Sequence, residues 1–440
     1  MARLIKRIIL FGVLACVIGL ALIWLGAHLF TGTSKWARAI VWLDSDINDY
    51  KRFPARLVAN AAPRFDFQLP SAEMHWRYAP VFESVTYLEN GRYITQDFDE
   101  FLKETDTVAF LVIKDDFILY EGYFNGYNRD STVTSFSVAK SFVSALVGIA
   151  IFEGYIGSVE DSITQYVPEL LNKDPRYADI TLRHLLSMSS GIRYEEKDTP
   201  SSDGAITYYA PDLRLAAISS PIIDQPGRAF HYNNYNPLLL GLALERSTGR
   251  PVAQYLEEKL WMPLGMEAPG SWSLDSERNS FEKMESGING RAIDFAKFGR
   301  LFLKRGNWNG DQLIPAEWVE ESTRRDTTTD PAENYQYFWW LNCQVEAEHH
   351  FFAAGKHGQY IYIVPAQDLI LVRFGKADPY GWWEELFARM ARQIAAIPSS
   401  VDWDDRSFLE LEYDVEAYLK LGRVEKAEML HKWLENAQKD

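Results

Sequence analysis

The chain has 440 residues, 47% hydrophobic and 24% charged, a globular mixture that excludes wholesale disorder and a fibrous repeat. With 45 basic against 61 acidic side chains the formal charge is −16, a field that repels phosphate backbones and argues against nucleic-acid binding. Two cysteines, Cys16 and Cys343, are too few for a disulfide framework or a cysteine zinc site. The motifs HExxH, CxxC, GxGxxG and GxSxG are absent, so metalloprotease, dinucleotide-binding and ordinary α/β-hydrolase readings have no motif support.

From Ile8 to Ala27 the chain runs 20 residues without a charge. At about 1.5 Å per residue such a helix crosses the roughly 30 Å hydrocarbon core of a bilayer. Arg3, Lys6 and Arg7 precede it, so the positive-inside rule predicts a single-pass anchor (residues 1–30) with a cytoplasmic N-terminus. Everything after Phe30 then lies outside, in the periplasm of a Gram-negative cell. A cleaved signal peptide is the competing reading, but its apolar core is about 7–15 residues and His28–Thr33 holds no clean cleavage site. Cys16, with apolar residues on both sides, reads as an ordinary membrane-helix cysteine rather than a lipidation box.

Residues 31–97 read as an extended leader lying over the main domain. Phe98–Glu104 reads as a short helix, and Val108–Ile113 with Phe117–Phe124 as a β-hairpin around Lys114-Asp115-Asp116. Ser137–Phe152 is an apolar helix closed by Gly154. A helix-rich section follows to about Met262, strands return over Phe351–Phe374, and residues 397–440 form an acidic tail read as helical. The order predicts an α+β fold: an antiparallel sheet flanked by helices, with an inserted all-helical lobe.

Within SFSVAKSFVSALVGIAIF (Ser135–Phe152) Lys140 is the only charge. A helix apolar on nearly every face is buried, and a lone lysine in it is costly unless it has partners or a task. Three-residue spacing stacks that amine beside Ser137, where an amine desolvated by burial can take the hydroxyl proton. At the helix start the Ser137 N–H also faces a developing oxyanion. Ser280-Phe281-Glu282-Lys283 has the same spacing in a polar stretch and reads as a chance match. His231–Asn236 precedes a second apolar helix. Tyr232 can pass a proton to a leaving group there, and Asn234 can hold a substrate carbonyl, although a helix-entry loop with an asparagine cap would look alike. The similar Tyr123-Phe124-Asn125 reads as a strand-end turn. Finally, Gly355-Lys356-His357-Gly358-Gln359 opens a strand. Gln359 N–H can supply the second oxyanion donor, Gly358 allows close approach, and Lys356 adds charge for an anionic substrate group.

These three elements, in this order, resemble the serine β-lactamase and penicillin-binding-protein superfamily, with its boxes S-x-x-K, Y-x-N and K-T-G. The likeness is greatest to class C β-lactamases and their esterase and amide-hydrolase relatives of the 6-aminohexanoate-dimer hydrolase kind. It extends over about Phe98–Ala396, through stretches such as ITLRHLLSMSSGI (Ile180–Ile192) and GINGRAIDFAKFGRLFL (Gly287–Leu303). It implies a β-lactamase-like fold with the active site between the two lobes, and an acyl-enzyme on Ser137. Lys140 would be the base, Tyr232 the proton relay, Asn234 a contact to substrate and lysine, and the Ser137 and Gln359 amides the oxyanion hole. Lys356, His357 and Gly358 would form the third box. There the pattern departs, since histidine replaces the threonine whose hydroxyl helps to bind a carboxylate; an ester or small amide fits better than a β-lactam. A histidine there can alternatively assist proton transfer.

The expected function is therefore a membrane-anchored serine hydrolase of a small-molecule or short-peptide ester or amide. The alternatives are a β-lactamase or D,D-peptidase, and a catalytically silent binding protein of the same fold. His184, His349 and His350 read as packed or surface histidines. Trp339-Trp340 and Trp382-Trp383 read as core, with one pair able to line the cleft.

Overall fold

The computed structural model describes residues 2–89, 92–197, 199–325, 332, 334–342, 349–379 and 381–397. Cys343 and the acidic tail beyond Ile397 lie outside the described residues. The uncharged N-terminal run forms helix α1, Ala2–His28. Its stretch Leu10–His28 is long and apolar enough to cross a membrane, and 0% of it is buried against the rest of the chain.

The segment expected as an extended leader is instead folded into the molecule. Ser34 caps α2 (Lys35–Trp42) by accepting from Ala37 N, and β1 (Ala55–Val58) pairs antiparallel with β5 (Gly270–Ser273). With β4 (Val133–Thr134) and β6 (Ile288–Gly290) these strands make a small sheet in the order β1-β5-β6-β4.

Alternating β-branched and aromatic residues build the main sheet, because successive side chains of a strand point to opposite faces. Its strands are β2 (Thr107–Lys114), β3 (Phe117–Tyr123), β7 (Tyr335–Gln336), β8 (Trp339–Leu341), β9 (Phe351–Gly355), β10 (Gln359–Val364) and β11 (Leu369–Gly375). They lie in the order β7-β8-β9-β10-β11-β2-β3, and the expected 108–124 hairpin is its β2–β3 edge. On one face Phe110, Val112, Tyr362 and Leu371 pack with α3 (Phe98–Glu104) and the C-terminal α7 (Trp383–Ala396). On the other, Leu111, Ile361 and Ile370 pack with α4 (Val138–Phe152) and α6 (Ala292–Leu303) in the larger core.

Between α4 and β5 the chain leaves the sheets and forms the helical lobe, in which the 14-residue α5 (Tyr235–Thr248) packs on α4. Every residue of α4 from Val138 to Ala150 is buried, so it is the spine shared by the two lobes. This is the α+β architecture expected from the sequence. The two ends of that spine differ: Ser137 lies at one, and at the other an apolar cavity of about 440 Å³ is lined by Gly148, Phe152, Trp318 and Tyr337.

Candidate active site

The start of α4 is set by a left-handed residue. Phe136 has φ +47°, a conformation that side chains with a Cβ rarely adopt, and it is held by packing against His357 and Tyr208. Ser137 follows as the helix N-cap, yet its hydroxyl caps no backbone N–H. It is instead engaged by Lys140, whose Nζ donates to Ser137 Oγ at 2.7 Å and to the Glu285 carbonyl at 3.0 Å. Lys140 is 1% exposed. Its Nζ lies 4.9 Å from the centre of the Tyr232 ring. Ser137, Lys140 and Tyr232, three sequence-selected residues, thus converge.

Tyr232 is held by aromatic neighbours that the sequence reading left in the core. Trp340 stacks on it at 5.8 Å and 23°, and Tyr335 meets it edge-on at 5.9 Å. Trp339, the other half of that pair, is fully buried, so one tryptophan of the pair faces the cleft and one the core. Asn234 is not turned to the lysine. Its Nδ2 donates to Tyr194 OH at 2.6 Å, while its buried Oδ1 has no hydrogen-bond partner among the described residues. Burial pushes the Tyr194 phenol well above its ordinary value, which keeps it a neutral hydroxyl.

The third box is arranged differently from the sequence expectation. His357 (φ +66°) and Gly358 (φ +77°) form the tight turn between β9 and β10. A Cβ on Gly358 would come within 1.9 Å of Arg373 Nη1, so this glycine is needed for the buried arginine behind it rather than for the nucleophile. Gln359 pairs with Gly355 across the hairpin, and its side chain is occupied by the carbonyls of Lys356 and Gly375 and by Gly375 N–H. The backbone that touches Ser137 is Gly355, where a Cβ would lie 2.5 Å from the Ser135 carbonyl oxygen and 3.0 Å from Ser137 N. The strand end beside Ser137 is therefore four residues earlier than expected.

Lys356 and His357 meet the N-terminal segment. Lys356 Nζ donates to Asp44 Oδ1 at 2.7 Å. The His357 Nε2 atom lies 3.0 Å from the Ser45 carbonyl oxygen and 3.2 Å from Ser45 Oγ. Burial, then the Lys356 charge, holds the imidazole below its ordinary value, so it is neutral around pH 7. For Asp44 burial acts upward most strongly, but the hydrogen bonds from Lys356 and Ser45 N–H, together with the nearby positive charge, outweigh it and the carboxyl lies below its usual range. Further anchors are Asn48 Nδ2 to Tyr127 OH at 2.9 Å and Thr134 N to the Ile47 carbonyl at 2.9 Å.

Lys283, taken as half of a chance match, has a structural role. It is buried, donates to Glu285 Oε1 at 2.9 Å and to the Tyr208 carbonyl at 2.6 Å, and thereby fixes the residue whose carbonyl orients Lys140. Its partner in the match, Ser280, donates to the nearby Glu277 carbonyl. A backbone carbonyl has no sequence signature, which is why Glu285 was not foreseen. His184 accepts from Thr181 N in a helix cap and His350 contacts Tyr362, so both are structural. Among the described residues no group of three or more His, Cys, Asp and Glu side chains is placed to hold a metal ion.

Residues 94–384 match the protein family described as Beta-lactamase. The chain belongs to the beta-lactamase family. Within that family it is similar to 6-aminohexanoate-dimer hydrolase of Paenarthrobacter ureafaciens, with 28% identity over 305 residues, 64% of this chain and 76% of that one. Among solved structures, a putative 6-aminohexanoate-dimer hydrolase from Bacillus anthracis aligns with a TM-score of 0.68 at 23% identity, covering 80% of this chain and 95% of the other. The octameric penicillin-binding protein homologue from Pyrococcus abyssi aligns at 0.54 and 18% identity over 68% and 76%. Both structural likenesses are likenesses of fold. As a beta-lactamase-family protein the chain stands among the serine hydrolases of the β-lactamase and penicillin-binding-protein type.

Proposed function

We propose that this protein is a membrane-anchored serine hydrolase that cleaves an ester or amide bond through an acyl-enzyme on Ser137. The observation that carries the reading is the buried Lys140 Nζ, 2.7 Å from Ser137 Oγ. Lys140 accepts the Oγ proton as the oxygen attacks the carbonyl carbon. The oxyanion is met by the Ser137 N–H and by the backbone of the Gly355–Lys356 strand end beside it, in preference to Gln359. Tyr232, next to Lys140, passes the proton to the leaving oxygen or nitrogen as its bond to the acyl carbon breaks. Water then attacks the ester on Ser137 and gives a proton back, releasing the acid and restoring the serine. The scheme uses no metal or organic cofactor.

A small or short-peptide substrate with no anionic group at the third box suits this cleft, because Asp44 already neutralises Lys356 and Ser45 engages His357. The same two contacts weigh against a β-lactamase or D,D-peptidase, which needs that corner for a substrate carboxylate. The name of the 6-aminohexanoate-dimer hydrolase supports a small amide as one substrate class. The apolar α1, preceded by basic residues, supports an anchor with a cytoplasmic N-terminus and an outward-facing catalytic domain.

The test is labelling of the full chain in detergent with a fluorophosphonate probe. Wild type labels and Ser137→Ala does not; equal labelling of the two overturns the nucleophile assignment. Turnover of a p-nitrophenyl ester that disappears in Lys140→Ala rules out a silent binding protein.

A further inference from the structure

Six residues separate the end of α1 from the start of α2, which has two unlike faces. On one, Arg38 is buried and fixes the helix to the catalytic domain, donating to the carbonyls of Thr31 at 2.6 Å, Tyr209 at 3.1 Å and Asp275 at 2.6 Å. On the other, Trp36 and Ile40, at i and i+4, are 51% and 42% exposed, and Leu43, just past the helix end, is 77% exposed. Leu29 and Phe30, at 82% and 59% exposed, extend this apolar stripe to the end of α1. In a chain with 106 charged side chains (45 + 61), a water-facing stripe without a charge has an unsatisfied purpose.

We infer that this face of α2 lies in the interfacial layer of the phospholipid bilayer that α1 enters, so that α2 is a foot holding the catalytic domain against the membrane surface. The inference rests on the reading of α1 as a membrane anchor. Continuity selects the bilayer as the occupant: the stripe starts where α1 ends, and a protein partner would have to reach within a few residues of the lipid. Its composition fits as well. Trp36 presents an apolar body and a polar N–H, the chemistry of interfacial tryptophans, and Lys35 Nζ lies 5.0 Å from the Trp36 ring, available to anionic headgroups.

The foot also positions the active site. The α2 helix, 8 residues and therefore about 12 Å long, is followed at once by Asp44 and Ser45, which contact Lys356 and His357. Because Arg38 locks α2 to the domain, the third-box lip of the cleft is held within about one such helix length of the headgroup layer.

The experiment uses the full chain in single-copy nanodiscs of phosphatidylcholine with one quarter phosphatidylglycerol. In a Cys16→Ser, Cys343→Ser background, Trp36→Cys, Ile40→Cys and the distant control Phe152→Cys (Phe152 is 72% exposed) each carry an environment-sensitive fluorophore. Labels at 36 and 40 are expected to be quenched by nitroxide lipids and to be about 3-fold or more less accessible to aqueous iodide than the label at 152. Equal iodide quenching at all three positions overturns the inference, as does protection seen only in discs holding two copies. Resistance to alkaline carbonate extraction reads α1 separately: a retained chain with exposed labels sinks the foot alone, and an extracted chain sinks the anchor and the foot together.

Discussion

Phe136 occupies a left-handed conformation worth about 1–3 kcal/mol of strain, a cost that the packing of His357 and Tyr208 over-determines. The consequence is that Ser137 begins α4 with an uncommitted hydroxyl, and Lys140 is the group that reaches it. In the proposed mechanism Tyr232 has a narrower task, to move one proton next to Lys140, and its ring is fixed by Trp340 and Tyr335 whether or not its hydroxyl is present. Tyr232→Phe should therefore lower kcat by roughly 10²–10⁴-fold while leaving KM within a few-fold and the melting temperature nearly unchanged. Steady-state kinetics on an ester substrate checks this, and an unaltered kcat removes Tyr232 from the mechanism.

The β9–β10 hairpin and the strap from Asp44 to Tyr50 behave as one element. The Asp44–Lys356 pair is exposed, so it contributes on the order of 0–1 kcal/mol, yet it decides the charge at that corner. Asp44→Ala should raise kcat/KM for a hemisuccinate ester relative to a neutral ester by up to about 5-fold, the ratio to which about 1 kcal/mol converts. An unchanged ratio would mean that Lys356 does not face the substrate. His357 gives the same element a pH dependence. Its folded value lies below the ordinary 6.5, so the unfolded chain takes up a proton that the folded one resists. The stabilisation from its neutral form is complete above pH 6.5 and is lost as the pH falls below it. Burial depresses His184 and His349 in the same direction, so only a comparison isolates His357. Between pH 7.5 and 5.5 the melting temperature of wild type should drop more than that of His357→Asn; parallel drops would show that the imidazole does not titrate with folding.

For the whole molecule, the decisive feature is how little chain separates the apolar helix α1 from the residues that touch the candidate active site. The structure integrates residues 35–58 into the catalytic body through Arg38, the β1–β5 pairing and the strap over the third box. On the proposed reading of α1 as an anchor, anchor and enzyme form one unit. The full chain should stay with membranes through alkaline carbonate washing while still turning over ester, which fractionation followed by an activity assay measures; activity released into the wash would identify α1 as a removable segment.

How much of this was legible follows from which forces act locally. Helical period, strand alternation and the single charge in an apolar helix are written in neighbouring residues, so the sequence alone determined the α+β class, the apolar N-terminal helix and α4 as a buried spine, and it singled out Ser137, Lys140 and Tyr232, which the structure brings together. What touches that set is decided by contacts between residues far apart in the chain. The Glu285 carbonyl behind Lys140, Gly355 rather than Gln359 against Ser137, Trp340 on Tyr232 and Asp44 on Lys356 depend on how strands and loops are brought side by side. Backbone groups are chemically identical at every position, and an exposed aspartate looks alike in any loop. Only tertiary structure could select among them, because selection there is by distance rather than by residue type.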